Sequence, residues 1–127
     1  MTYKVLIVDD SKLARMAAIK ALKDSHPELK RVEAGSAADA LKAMERDAPD
    51  IALVDFNMPQ VDGLHLVADL RTLSPKMPIA VISANHQKEV ITRAEALRAT
   101  FLPKPLSEQA LAQFLEAALQ SLQEAAP

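Results

Sequence analysis

Three runs of four consecutive apolar residues set the architecture: Val5-Leu6-Ile7-Val8, Ile51-Ala52-Leu53-Val54 and Ile79-Ala80-Val81-Ile82. None alternates apolar with polar, so none reads as a strand with one face in water. Each is short and bounded by turn residues, which fits a strand covered on both faces, and such strands belong to parallel sheets. Each run also stops at polar side chains, Asp9-Asp10, Asp55 and Ser83. Open parallel sheets bind ligands just beyond the carboxyl ends of their strands. Asp55, followed by a turn expected at Pro59, therefore stands where the chemistry of such a sheet collects.

The intervening segments read as helices and two weaker strands. Ser11 to about Asp24 is helical by composition, and His26-Pro27 ends it. Ala14, Ala17, Ala18, Ala21 and Leu22 form one apolar stripe, while Leu13, Met16 and Ile19 fall off it among Lys12, Arg15, Lys20 and Lys23. The off-stripe residues are either covered by loops of the chain itself or form a partner-docking patch, and both readings stay open. Arg31–Ala34 is a short second strand and Gly35 its turn. Ser36 caps a helix with Asp39 in a capping-box-like position and Ala37, Ala40, Leu41 and Met44 inward. After the central run, Val61-Asp62-Gly63 turns into a helix with Leu64, Val67 and Leu70 inside, fenced by Pro75 and Pro78. Gln87 to about Leu97 is a short helix carrying Val90, Ile91 and Ala94 inward. Phe101-Leu102 is a brief last strand ending in Pro103-Lys104-Pro105. Ser107 caps a final helix whose Leu111, Phe114, Leu115, Ala118, Leu119 and Leu122 recur at helical spacing. Residues 123–127 read as a tail that frays. Five strands alternating with five helices predict an α/β sheet with right-handed crossovers and helices on both faces.

Composition narrows the function. At 127 residues the chain is one domain by size. The absence of cysteine removes disulfides and thiolate metal sites. A net charge of -2 and 3% aromatics argue against direct nucleic-acid binding. No apolar run approaches the roughly 20 residues of a membrane span, and no signal peptide opens the chain. A cytoplasmic protein without membrane contact is expected.

In a parallel sheet Asp9, Asp10, Asp55, Ser83 and Lys104 share one rim. Neighbouring strands lie about 4.8 Å apart, so carboxylates from two of them can converge on one ion. Three carboxylates that close repel one another unless a cation intervenes. With oxygen ligands alone, a hard ion such as Mg2+ is the natural guest. Lys104 can reach in as a point charge for a phosphoryl oxygen, and the Ser83 hydroxyl can donate to another. Aspartate carboxylates are phosphoryl-accepting nucleophiles that form acyl phosphates. Taken singly, each residue has a plain explanation: an N-cap for Asp10, a loop start for Asp55, a solvated Lys104, a strand-end cap for Ser83. Their coincidence at four strand ends favours Mg2+-assisted phosphoryl transfer involving Asp55.

At these residues the sequence resembles the receiver domain of two-component response regulators, from Lys4 to about Leu122. The motifs are Val-Asp-Asp-Ser after the first strand and Val-Asp-Phe-Asn-Met-Pro with Asp-Gly after the third. Ile-Ser-Ala after the fourth and Leu-Pro-Lys-Pro after the fifth complete the set. The resemblance implies a chemotaxis-regulator-like, flavodoxin-like sheet of order 2-1-3-4-5 and a single receiver over residues 1–127. It implies Asp55 as the phosphoacceptor for a sensor histidine kinase or histidine phosphotransfer protein. Asp9, Asp10, Asp55 and the backbone carbonyl of Asn57 become the Mg2+ ligands, Lys104 the phosphate partner, with a cis bond to Pro105. Ser83 and the Ala84 amide turn toward the phosphoryl group, and Phe101 is the switch aromatic. The responding face, for a downstream protein the sequence does not name, is the helix near Gln87–Leu97, the last strand and the last helix. Leu13, Met16 and Leu106 fall where kinases dock. Phe101 replaces a common Tyr, Ala96–Thr100 lacks a common Gly, and Asn57 and Asn85 occupy lifetime-tuning positions. His86 is expected at the surface.

The expectation is a stand-alone receiver, or equally a fragment of a longer regulator, with no catalysis beyond its own phosphorylation and dephosphorylation. Two rivals remain: a Mg2+-dependent phosphatase with Asp55 as nucleophile, and a pseudo-receiver that binds partners unphosphorylated. Haloacid-type phosphatases carry a second acid two residues after the nucleophile, where this chain has Asn57. The intact acidic set with Ser83 and Lys104 argues against the pseudo-receiver.

Overall fold

In the computed structural model, which describes residues 2–58 and 62–125, the apolar runs pair side by side. The order along the chain is β1 (Lys4–Val8), α1 (Lys12–Ser25), β2 (Lys30–Ala34), α2 (Ala37–Asp47) and β3 (Ile51–Asp55). It continues with α3 (Gly63–Leu73), β4 (Ile79–Ser83), α4 (Lys88–Ala96), β5 (Thr100–Pro103) and α5 (Glu108–Ala125). All strands are parallel, in the order β2-β1-β3-β4-β5. The expected turn at Pro59, and Val61, lie outside the described residues.

The apolar runs are explained by the two faces they serve. Leu6, Val8, Ala52, Val54, Ile79 and Val81 pack under α2, α3 and α4 with Ala40, Ala43, Leu64, Val67, Leu70, Val90 and Ala94. Their neighbours Val5, Ile7, Ile51, Leu53 and Ala80 point the other way, under α1 and α5, against Ala18, Leu22, Leu111, Phe114, Leu115 and Ala118. Successive strand residues alternate faces, so a sheet covered on both sides needs unbroken apolar strands.

Helix starts follow the expected chemistry. The Ser11, Ser36 and Ser107 hydroxyls accept from the amides of Ala14, Asp39 and Ala110, and the Asp62 carboxylate accepts from His65. Helix α5 runs as far as Ala125, past Leu122, which still packs against the core. The α4–β5 turn, without glycine, places Arg98 at φ 58 in the left-handed region. Arg71 braces that turn by donating to the carbonyls of Leu97 and Arg98, and to those of Pro75 and Met77 in the α3–β4 loop. Among the described residues, no helix is long and apolar enough to cross a membrane.

Candidate functional site

The sheet order reverses between β1 and β3, and ligand crevices of open α/β sheets form at such a point. Val8 is in register with Val54, so the chain leaves both strands side by side at Asp9 and Asp55. Asp9, Asp10 and Asp55 each offer a carboxylate oxygen, and these oxygens lie within 4.8 Å of one another. Asp10 is exposed, whereas Asp9 and Asp55 are buried. Burial pushes the Asp9 carboxyl above its ordinary value of 3.8, and the charges of Asp55 and Asp10 push the same way. The Ser11 amide and the Lys104 ammonium offset part of that rise.

Asp9 is held at three points. Its amide donates to the Ala34 carbonyl (3.1 Å), its Oδ1 accepts from the Ser11 amide (2.9 Å), and its carbonyl accepts from Arg15 Nη1 (2.6 Å). The Phe56 amide donates to the Ile82 carbonyl (2.9 Å), which continues the β3–β4 ladder one step past Asp55.

Lys104 enters from the end of β5, where its amide donates to the Ser83 carbonyl (3.0 Å). Its Nζ stands 2.7 Å from Asp55 Oδ1. Among the described residues, buried Oδ1 has no hydrogen-bond partner beyond this charge contact. The Lys104–Pro105 bond is cis. Ser83 is fully buried, and its Oγ accepts from the Asn85 amide (2.9 Å).

Asp9, Asp10, Asp55 and Lys104 are thus drawn into one cluster, with Ser83 tied to it through the backbone of Lys104. Asn57 and Ala84 lie on the exposed loops after β3 and β4. Phe101, half-buried within β5, meets the exposed His86 ring edge-on with centroids 5.6 Å apart. On α1, Leu13 and Met16 are exposed, and Leu106 is half-buried across from that helix. Between them the small side chains of Ala14, Ala17, Ala18 and Ala21 leave a cavity of about 600 Å³ that reaches Asp55 and Lys104.

Sequence reasoning missed Arg15, which it named only alongside Lys12, Lys20 and Lys23. Only its place in the first turn after the acidic pair hinted at a contact with the rim.

This oxygen-only donor set, with a buried carboxylate oxygen that has no hydrogen bond among the described residues and an acid whose charge is disfavoured, fits a hard divalent cation. Comparison with known proteins agrees with the architecture. The response regulator receiver domain matches residues 5–116. A response regulatory protein of Vibrio cholerae is 32% identical over 122 residues, covering 95% of this chain and 46% of that protein. The sensor protein TorS of Escherichia coli is 32% identical over 119 residues, covering 92% of this chain and 13% of TorS. The chain thus spans less than half the length of either relative. Among solved structures, the chemotaxis protein CheY4 of Vibrio cholerae superposes with a TM-score of 0.83 at 27% identity, covering 93% of this chain and 99% of that one.

Proposed function

Because the chain belongs to the response regulator receiver domain family, we propose that it is a cytoplasmic signalling switch driven by phosphorylation of Asp55. The observation that carries this reading is the buried Asp55 Oδ1, which among the described residues meets only the Lys104 ammonium, at 2.7 Å, beside two further carboxylates. A side chain placed so is poised to form a bond and is poorly explained as packing.

Asp9, Asp10 and Asp55, with the carbonyl of Asn57, would hold Mg2+. That ion supplies positive charge which offsets repulsion between the carboxylates and an incoming phosphoryl group. The Asp55 carboxylate oxygen forms a bond to phosphorus as the phosphorus–nitrogen bond of a donor phosphohistidine breaks, and the electron pair returns to the imidazole. The product on Asp55 is an acyl phosphate. Lys104 then transfers its charge contact from the carboxylate to a phosphoryl oxygen. Ser83 Oγ releases the Asn85 amide to donate to another oxygen, alongside the Ala84 amide. Ser83 and β5 share the Lys104 amide contact, so this shift reaches Phe101 and the face of α4, β5 and α5. Such a local electrostatic change biases a two-state element.

The donor is a histidine kinase or phosphotransfer protein that docks over Leu13, Met16 and Leu106. Its helix would cover two apolar side chains that are 79% and 54% exposed. The switch acts by binding a downstream protein, and its only catalysis is on itself. Incubation with acetyl phosphate and Mg2+ should place one phosphoryl group per chain, and Asp55→Asn should take none. Rapid multiple turnover of a phosphate ester such as p-nitrophenyl phosphate would instead identify a phosphatase. Absence of labelling in the folded protein would identify a binding module without phosphorylation.

A further inference from the structure

Arg15 is the charged side chain nearest the rim that the chemistry above leaves without a role. It lies in the first turn of α1 and is only 17% exposed. Its Nη1 donates to the carbonyl of Asp9 at 2.6 Å, and its Nε donates to Glu33 Oε1 of β2 at 3.1 Å. Gly35 lies beside it: a Cβ there would stand 3.4 Å from Nη1, an ordinary contact. We infer that Arg15 is a positioning residue for the cation site, a fork that fixes the backbone of Asp9 between β1 and β2. The inference rests on the proposed Mg2+ site.

The physical case is that the Asp9 side chain is short and its aim depends on its peptide plane. Ala34 holds the amide side of Asp9 and Ser11 holds Oδ1, which leaves the carbonyl side to Arg15. A planar guanidinium can serve a carbonyl and a carboxylate at once in fixed geometry, whereas an ammonium cannot. Glu33 both orients the guanidinium and offsets its charge. Second contacts of this kind commonly change metal affinity by about 10–100-fold when removed.

The sign of the effect separates positioning from simple charge. Arg15 is a cation beside a cation site, so by Coulomb's law alone its removal should tighten Mg2+ binding. Positioning predicts the reverse. Mg2+ affinity would be measured by titration calorimetry on wild type, Arg15→Ala, Arg15→Lys and Glu33→Gln, with melting curves of each without metal. The expected result is a Kd raised about tenfold in Arg15→Ala, with a smaller rise in Glu33→Gln. Arg15→Lys keeps the charge and should still bind more weakly than wild type. The rate of labelling by acetyl phosphate at saturating Mg2+ should return toward wild type. An unchanged or lower Kd in these variants, whatever their melting temperatures, overturns the inference. Should Arg15→Ala fail to fold, Arg15→Lys, which keeps the charge and loses the fork, decides by the same criterion. If wild type itself binds no Mg2+, the proposed function falls first and this inference with it.

Discussion

Replacing Gly63 by alanine tests how tightly α3 is pressed against the site. A Cβ at this position would stand 2.3 Å from the Asp55 carbonyl oxygen and 2.8 Å from the Phe56 Cα. Both are backbone atoms and neither can rotate away. Carbon contacts relax only near about 3.5–4.0 Å, so the overlap is of ångström size. The Gly63 amide also donates to the Phe56 carbonyl at 2.7 Å, which locks the two segments together. Relief requires lifting the start of α3, whose Leu64, Leu66, Val67 and Leu70 are buried, or pushing back the peptide after Asp55. Alanine gains up to about 1 kcal/mol in helix propensity over glycine. Overpacking typically costs about 1–3 kcal/mol, and more where only backbone can yield. The net expectation is a loss of about 1–3 kcal/mol, or roughly 5–10 °C in Tm for a domain of this size. Thermal unfolding followed by circular dichroism reads it directly, and weakened Mg2+ binding should accompany the loss because Asp55 is displaced. Gly35→Ala is the control, since its new Cβ meets only the far end of Arg15 at 3.4 Å, and its effect should stay within about 0.5 kcal/mol. A Gly63→Ala protein as stable as wild type would refute the reasoning.

Other outcomes are expected. Asp9 has a pKa raised above 3.8, so the folded state binds more protons than the unfolded state just above that value and loses stability as pH rises through the interval. Asp9→Asn should therefore be more stable than wild type at neutral pH in chelator. At Mg2+ about ten times Kd, wild type should gain about 1–1.5 kcal/mol and the variant much less, as read by chemical denaturation. Asp62 behaves oppositely: burial opposes its charge, but the amide and ring of His65 and the Arg93 guanidinium outweigh it and lower the pKa below 3.8. Its contribution is present above 3.8 and lost as pH falls through the folded value. The stability difference between wild type and Asp62→Asn, which keeps the cap, should close in acid denaturation below that point. Arg71→Ala strands the carbonyls of Leu97 and Met77 at the end of the sheet away from the acidic cluster. It should cost about 2–4 kcal/mol and leave phosphorylation of the remaining folded protein unchanged.

Much of the architecture was legible because the strands carry it in the plainest form. The runs at Val5, Ile51 and Ile79 have no polar break, so they demand cover on both faces, and the split of Leu6 and Val8 from Val5 and Ile7 meets that demand. The acidic corner was legible too, since Asp9, Asp10 and Asp55 follow adjacent strands and end within 4.8 Å of one another. What stayed hidden depends on contacts between segments distant in sequence. Arg15 stood out no more than the lysines of α1, because its partners Glu33 and the Asp9 carbonyl are chosen by the fold. The cap of α2 was readable from Ser36, but the left-handed Arg98 was not, since arginine has no preference for that conformation and Arg71 stabilises it from another element. The sequence pattern likewise marks where α5 stops contributing to the core, and not where its hydrogen bonding stops.

The most direct test is chemical mapping of the phosphorylated residue. The protein is treated with acetyl phosphate with and without Mg2+, reduced with borohydride to convert an acyl phosphate into homoserine, digested and sequenced by mass spectrometry. Homoserine at position 55 alone, formed only when Mg2+ is present, is the predicted result. Conversion at Asp9 or Asp10, or conversion at Asp55 that proceeds equally in chelator, would contradict it.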